Sequence, residues 1–264
     1  MQLEILTLSS AGGRQVNEDA CGIWSSDHAC FCVLSDGAGG HGGGDVASKL
    51  VVSSALDWFR AHPECSSEAV GNAISAANRS VVEQQGRDPR LSDMRATALV
   101  LAINTWRDVA CWGHLGDSRL YCFRQSRIIA QTRDHSVVQS MVDAGYMKSQ
   151  DLRAAPERSK LLAALGDESN FEPSIEANEF LLSDGDIFLL CTDGFWEYLD
   201  EREMEEALSA SSSCQEWLKS MEDKVMARGS SSQDNYSAIV LACSDSSDVT
   251  LSRTEDNTLS VVRG

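Results

Sequence analysis

One pattern occurs twice in this chain, and it constrains the fold more than any overall property. In Phe31-Cys32-Val33-Leu34-Ser35-Asp36-Gly37 an apolar run passes through a small hydroxyl residue into Asp-Gly. In Ile187-Phe188-Leu189-Leu190-Cys191-Thr192-Asp193-Gly194 the same order returns. Each run reads as a buried strand. Such a strand leaves its last residue little freedom, so a carboxylate there is held at the edge of the core. The following glycine allows a sharp turn and lets a backbone carbonyl approach a ligand closely. Carboxylate and carbonyl oxygens are what hard cations bind. Asp-Gly is also a common turn dipeptide, and either site alone reads as a turn. The repetition is what favours a binding site.

Other carboxylates sit at similar punctuation. Gly116-Asp117-Ser118-Arg119 follows the apolar run 109–115, Asp234-Asn235 precedes the run 236–242, and Asn17-Glu18-Asp19 precedes 20–24. If these groups converged without cations they would repel one another, so convergence would imply metal. Further strands are expected over 3–8, 96–103 and 118–123. Helices are expected over 45–60, 67–85, 136–144, 201–208 and 214–227, the third opening on a capping serine, Ser136. Two early helices, consecutive strands and late helices do not make a βαβα alternation. They predict an α+β fold with largely antiparallel sheets. Residues 1–243 read as one domain, and 244–264 as a polar tail or late hairpin.

Charge narrows the function. Forty Asp and Glu face 22 Lys and Arg, a formal charge of −18. That surface repels nucleic acid and anionic lipid, which argues against a Mg²⁺-dependent nuclease and against membrane binding. The nine cysteines form no CxxC pair, and most lie in apolar runs. An odd number in a chain this long points to free thiols in a reducing cytosol. The N-terminal residues lack a signal-peptide pattern, and no apolar run approaches the roughly 18 residues of a membrane span. A cytoplasmic location is expected. The loop 39–44 is glycine-rich but lacks the G-x-x-x-x-G-K-[ST] pattern of a nucleotide site.

In order along the chain, these motifs resemble the PPM, or protein phosphatase 2C, family and its bacterial branch. Arg14-Gln15-Val16-Asn17-Glu18-Asp19 resembles the opening R-x-x-N-E-D. Asp36-Gly37-Ala38-Gly39-Gly40-His41 resembles the D-G-x-G-G-H loop, and Gly116-Asp117-Ser118-Arg119 resembles G-D-S-R. Asp134-His135-Ser136 is similar to D-H-S, Asp193-Gly194 to the late D-G, and Asp234-Asn235 to the final D-N. The resemblance implies a four-layer αββα sandwich, two central antiparallel β-sheets flanked by paired helices, with a metal cleft at one edge.

It further implies that Asp36 bridges two Mn²⁺ or Mg²⁺ ions. The Gly37 carbonyl would bind one of them, and Asp193 and Asp234 the other. Glu18 and Asp19 would act through metal-bound water, and Asp117 with Asp193 would form a third site as in bacterial members. Arg14 would grip the phosphate, and a metal-activated water would hydrolyse phosphoserine or phosphothreonine in a protein substrate opposed by a kinase. The general acid is open: Ala38 cannot transfer a proton, and His41 is either a relay or a packing residue of the loop. His135 reads as structural. The stretch 137–166 resembles the family's flap, and its polar part is expected to be a mobile loop, with Arg153, Arg158 and Lys160 available to a phosphorylated partner. The alternative is a catalytically weak member acting as a phosphoprotein-binding regulatory module.

Overall fold

The structure, a computed structural model, describes residues 1–39 and 43–245. His41, and residues 246–264 of the expected tail, lie outside the described residues. The strands are β1 (Gln2–Ser10), β2 (Asp19–Ser25), β3 (Ala29–Ala38), β4 (Arg95–Ala96), β5 (Ala98–Asn104), β6 (Val109–Leu115), β7 (Arg119–Arg124), β8 (Arg127–Gln131), β9 (Ser174–Ile175), β10 (Phe180–Leu181), β11 (Ile187–Cys191) and β12 (Tyr236–Ser244). The helices are α1 (Gly44–Ala61), α2 (Ser67–Arg87), α3 (Val137–Asp143), α4 (Asp193–Trp196), α5 (Glu201–Ala210) and α6 (Cys214–Arg228).

Two antiparallel sheets are stacked face to face. One runs β1-β12-β11-β7-β8, the other β10-β6-β5-β3-β2, with β4 beside β3 and β9 beside β6. Their central strands are apolar on both faces because each face is covered. Along β3, Phe31 and Val33 face the helix pair α1 and α2. Cys30, Cys32 and Leu34 face the other sheet. Three apolar layers result: α1 and α2 on one sheet, sheet on sheet, and α5 and α6 on the other sheet. This is the αββα sandwich that the resemblance implied. No helix among the described residues is long and apolar enough to cross a membrane.

The helices form where apolar residues recur at helical spacing. Val51, Val52, Ala55, Leu56 and Phe59 of α1 are buried together with Val70, Ala73, Ile74, Ala77 and Val81 of α2. Phe59 stacks on Phe31 with ring centroids 4.0 Å apart, tying α1 to β3. Burying a side chain of that size contributes about 1.5–3 kcal/mol. Capping follows sequence: the Ser136 side chain accepts from the Gln139 N–H at 3.2 Å, and Asp200 and Glu203 form a reciprocal box at the start of α5.

Three local expectations change. Asp36-Gly37 is not a turn: β3 continues to Ala38, because Gly37 N–H donates to the Glu18 carbonyl at 3.1 Å and Gly37 lies opposite Ala96. The expected strand 96–103 breaks at Thr97, whose N–H leaves the ladder to donate to the Asp36 carbonyl at 2.8 Å. The start of the expected tail changes as well, since Ser244 pairs with Gln2 and completes β12.

Candidate active site

The acidic residues named from the sequence gather at one end of the sandwich. Asp36 lies near the end of β3, opposite Asp19 at the start of β2. Asp193 follows β11 and opens α4. Asp117 occupies the turn between β6 and β7, and Asp234 and Asn235 lead into β12. The two copies of the strand-to-Asp-Gly pattern therefore deliver carboxylates to one place by different local structures, an extended strand and a helix start.

The small hydroxyl residue before each Asp-Gly has a defined task. Ser35 Oγ donates to the Thr97 carbonyl at 2.6 Å, while Thr97 Oγ1 accepts from Asp36 N–H at 2.8 Å and lies 2.8 Å from Ser118 Oγ. Thr192 Oγ1 donates to Asp19 Oδ2 at 3.0 Å and accepts from Ser237 N–H at 2.9 Å. Backbone and carboxylate are thus fixed before any ligand arrives.

The electrostatics of the cluster are unbalanced. Asp36 and Asp193 lie close enough for each to perturb the other's titration, and two neighbouring ionised carboxylates repel. Burial pushes Asp36 well up, and Asp193, Asp19 and Asp117 push it further. Burial also raises Asp193, with Asp234 adding to it, although both Asp36 and Asp193 keep part of their surface open to the cleft. Asp19, almost fully covered, is pushed up to about 7 by burial, against hydrogen bonds from Ser237 and Thr192. Asp117 rises through burial, then through Asp193 and Asp134. Glu18 rises through burial and Asp45, while Arg14 and a hydrogen bond from Gly44 N–H oppose the rise. Among the described residues Asp19 Oδ1 and Asp193 Oδ1 are buried with no hydrogen-bond partner.

Orphaned carboxylate oxygens among mutually repelling neighbours are what a hard divalent cation relieves, and the donors are oxygens of the kind it prefers. The residues present fit such an ion. Among the described residues no three His, Cys, Asp or Glu side chains stand as a ready-made cage. The arrangement is an open cluster, in which carbonyls and waters would complete a ligand shell. Gly37 makes the close packing possible. A Cβ on it would collide with the Gly44 carbonyl at the start of α1 and come 2.7 Å from the Glu18 carbonyl.

Arg14 lies beside the cluster, half-exposed, with Nη2 2.9 Å from Asp234 Oδ2. Its loop is held by Asn235, whose Nδ2 donates to the Ala11 and Val16 carbonyls, both at 3.0 Å, and whose Oδ1 accepts from Glu18 N–H at 2.8 Å. His135 is structural in a specific sense. Gly116 N–H donates to its Nδ1 at 3.1 Å, so Nδ1 is unprotonated and Nε2–H is left to donate to Ser174 Oγ at 2.8 Å.

The stretch 137–166 is more firmly rooted than its composition suggests. Leu152 and Ala155 are buried in the α5–α6 layer. Arg153 pairs with Glu201 at 2.7 Å, Arg158 with Glu197 at 2.7 Å and Lys160 with Glu157 at 2.6 Å. Sequence reasoning gave Thr97, Thr192 and Trp196 no role, and named Asn235 only as part of a motif. The hydroxyl preceding Asp193 was the one local signal available.

A family model described as protein phosphatase 2C matches residues 9–230. The chain belongs to the protein phosphatase 2C family. It is 32% identical to the serine/threonine phosphatase stp of Listeria monocytogenes over 203 residues, covering 75% of this chain and 79% of that protein. The crystal structure of the Mycobacterium tuberculosis serine/threonine phosphatase PstP/Ppp superposes with a TM-score of 0.79 at 27% identity, covering 92% of this chain and 99% of that one. The PstP catalytic domain in complex with 2 manganese ions gives a TM-score of 0.76 at 27% identity, with the same coverage. At the level of its family, this 2C chain is a metal-dependent protein serine/threonine phosphatase.

Proposed function

We propose that residues 1–243 act as one phosphatase domain that hydrolyses phosphoserine and phosphothreonine in proteins at the carboxylate cleft. The observation that carries this reading is the gathering of Asp19, Asp36, Asp117 and Asp193 at one end of the sandwich, with Asp19 Oδ1 and Asp193 Oδ1 buried and unpartnered among the described residues, in a chain of the 2C family. Asp36, Asp193, Asp234 and the Gly37 carbonyl would hold two Mn²⁺ or Mg²⁺ ions, Glu18 and Asp19 would act through water, and Asp117 with Asp193 would hold a third. Such ions supply Lewis acidity, lowering the pKa of water to near neutrality and offsetting charge on the phosphoryl group.

The chain's own residues do the rest. Thr97 and Thr192 fix Asp36 and Asp19 in advance, so little reorganisation accompanies reaction. Among the described residues Arg14 uses one guanidinium nitrogen on Asp234, leaving other N–H donors for two phosphate oxygens. Ala38, next to Gly37, holds no proton to give, so the proton for the leaving serine or threonine oxygen comes from another group, cleft water being one donor of the right chemistry. The proposed substrates are cytoplasmic phosphoproteins made by an opposing kinase. An acidic chain of net charge −18 suits neither nucleic acid nor an anionic membrane.

The test is phosphate release from a phosphothreonine peptide with Mn²⁺, with EDTA, and with Asp193→Asn. Turnover that needs Mn²⁺ and falls steeply in the variant is expected. Folded native protein that takes up Mn²⁺ yet releases no phosphate from any phosphopeptide or phosphoprotein would overturn the proposal.

A further inference from the structure

Trp196 ends α4, three residues after Asp193, and is 1% exposed. Its indole Nε1–H donates to the Asp117 carbonyl at 2.9 Å. The same turn is held from the preceding residue, where Gly116, at φ +106°, donates its N–H to His135. Two side-chain contacts thus set the backbone that carries the Asp117 carboxylate.

The indole ring is gripped in turn. Arg119 Cζ lies 3.4 Å from its centroid, and Arg119 is fixed by a forked pair with Asp134 at 2.8 and 2.7 Å. Arg153, in the turn Ser149–Ala154 of the 137–166 segment, has Cζ 5.7 Å from the same centroid. Arg153 Nε donates to the Trp196 carbonyl at 3.3 Å, and its Nη2 pairs with Glu201 at 2.7 Å. Glu201 also lies 3.6 Å from Arg119. Leu152 and Ala155, flanking Arg153, are buried in the same layer as Trp196.

We propose that Trp196 is a positioning residue that holds Asp117 in its metal-competent place and ties that place to the 137–166 segment through Arg153. The inference rests on the reading that Asp117 contributes to a cation site. Its physical basis is simple. The Asp117 carbonyl belongs to a residue that is 4% exposed, and loss of the indole N–H strips it of this donor. The turn relaxes to recover a partner, and the carboxylate moves with it. Arg153 acts at one remove, since a phosphate or acidic side chain that draws it away from Glu201 also withdraws its bond to the Trp196 carbonyl.

The experiment is calorimetric titration of Mn²⁺ into the native protein, Asp117→Asn, Trp196→Phe, Arg153→Met and the double variant Trp196→Phe/Arg153→Met, with thermal unfolding of each in EDTA. Asp117→Asn is expected to remove the weakest binding event. Trp196→Phe keeps the ring and loses the donor, and should weaken that event alone by about 10–100-fold, the usual cost of losing an outer-shell partner. Arg153→Met should weaken the same event less, and add little in the double variant, because both act through one contact. If Asp117→Asn leaves every event in place, the underlying reading of Asp117 fails. If Asp117→Asn removes the event but Trp196→Phe leaves it untouched, or weakens all events alike, the inference is overturned. Should Trp196→Phe fail to fold, Arg153→Met alone decides: an unchanged weak event overturns the coupling.

Discussion

Arg119 and Asp134 are buried as deeply as Asp117 and Asp19, at 3% and 7% exposed against 4% and 6%, yet the two sets of charges are built differently. Arg119 meets Asp134 through two short parallel hydrogen bonds and rests on the Trp196 ring. Each charge has its partner, and burial strengthens the pair. A few residues away, Asp19, Asp36, Asp117 and Asp193 crowd together with Arg14 as a half-exposed counter-charge, and two of their oxygens have no partner among the described residues. Deep burial is common to both. What separates a structural cluster from a functional one is whether the chain itself completes the charge balance, or leaves that to a ligand.

The comparison can be broken most sharply on the balanced side. Arg119→Met strands the Asp134 charge and should cost about 3–5 kcal/mol in denaturant unfolding. A loss below about 1 kcal/mol would place this pair with exposed ones and dissolve the contrast. On the unbalanced side, Asp193→Asn should lower phosphopeptide turnover on the order of 10²–10³-fold, as removal of one preorganised electrostatic group does. Its melting temperature in EDTA should stay level or rise, because a like charge has gone. A melting point that drops as far as in the Arg119 variant would mark the carboxylate as structural.

Mn²⁺ at a hundredfold excess over Kd should stabilise the native protein by about 2.7 kcal/mol, and EDTA should reverse it. Asp193→Asn should lose most of that gain in a melting assay. A pH effect sharpens the border between the clusters, where His135 supports the Asp117 turn. Burial and the stacked His114 hold His135 down at about 4, below its ordinary 6.5. As pH falls below about 6.5 the unfolded chain takes up the proton first, so stability should decline between pH 6.5 and about 4. That decline should flatten in His135→Gln, and an equally steep slope in the variant would assign it to other groups. Smallest in stability is Arg14→Ala, at most about 1 kcal/mol for an exposed pair, while its KM for phosphopeptide should rise. A turnover loss at unchanged KM would remove phosphate binding from Arg14.

The antiparallel α+β character was legible because strands covered on both faces are largely apolar, as 29–34, 187–191 and, His114 apart, 109–115 are, while the sandwich itself came from the family resemblance. The half-exposed edge strand β8, Arg-Ile-Ile-Ala-Gln, gave no such run, and β2 starts from an acidic motif that draws attention as a site instead. The carboxylates were legible from their punctuation and their order along the chain. Their supports were not. Thr97 meets Asp36 from 61 residues away, Asn235 meets Glu18 from 217 and Trp196 meets Asp117 from 79, and no local pattern encodes such contacts. Asp36-Gly37 was legible as a special dipeptide but not as extended backbone, because its straightness comes from Glu18 and Ala96.

The layer between the two sheets holds Cys30, Cys32, Cys122 and Cys243 among leucines and phenylalanines. Burial pushes the Cys243 thiol up to about 12 and the nearby Cys21 thiol up to about 11. A sulfhydryl reagent needs both access and thiolate, and the closed sandwich denies it both. Dye incorporation at Cys243 therefore keeps time for the parting of the sheets, and the protein carries its own stopwatch for unfolding.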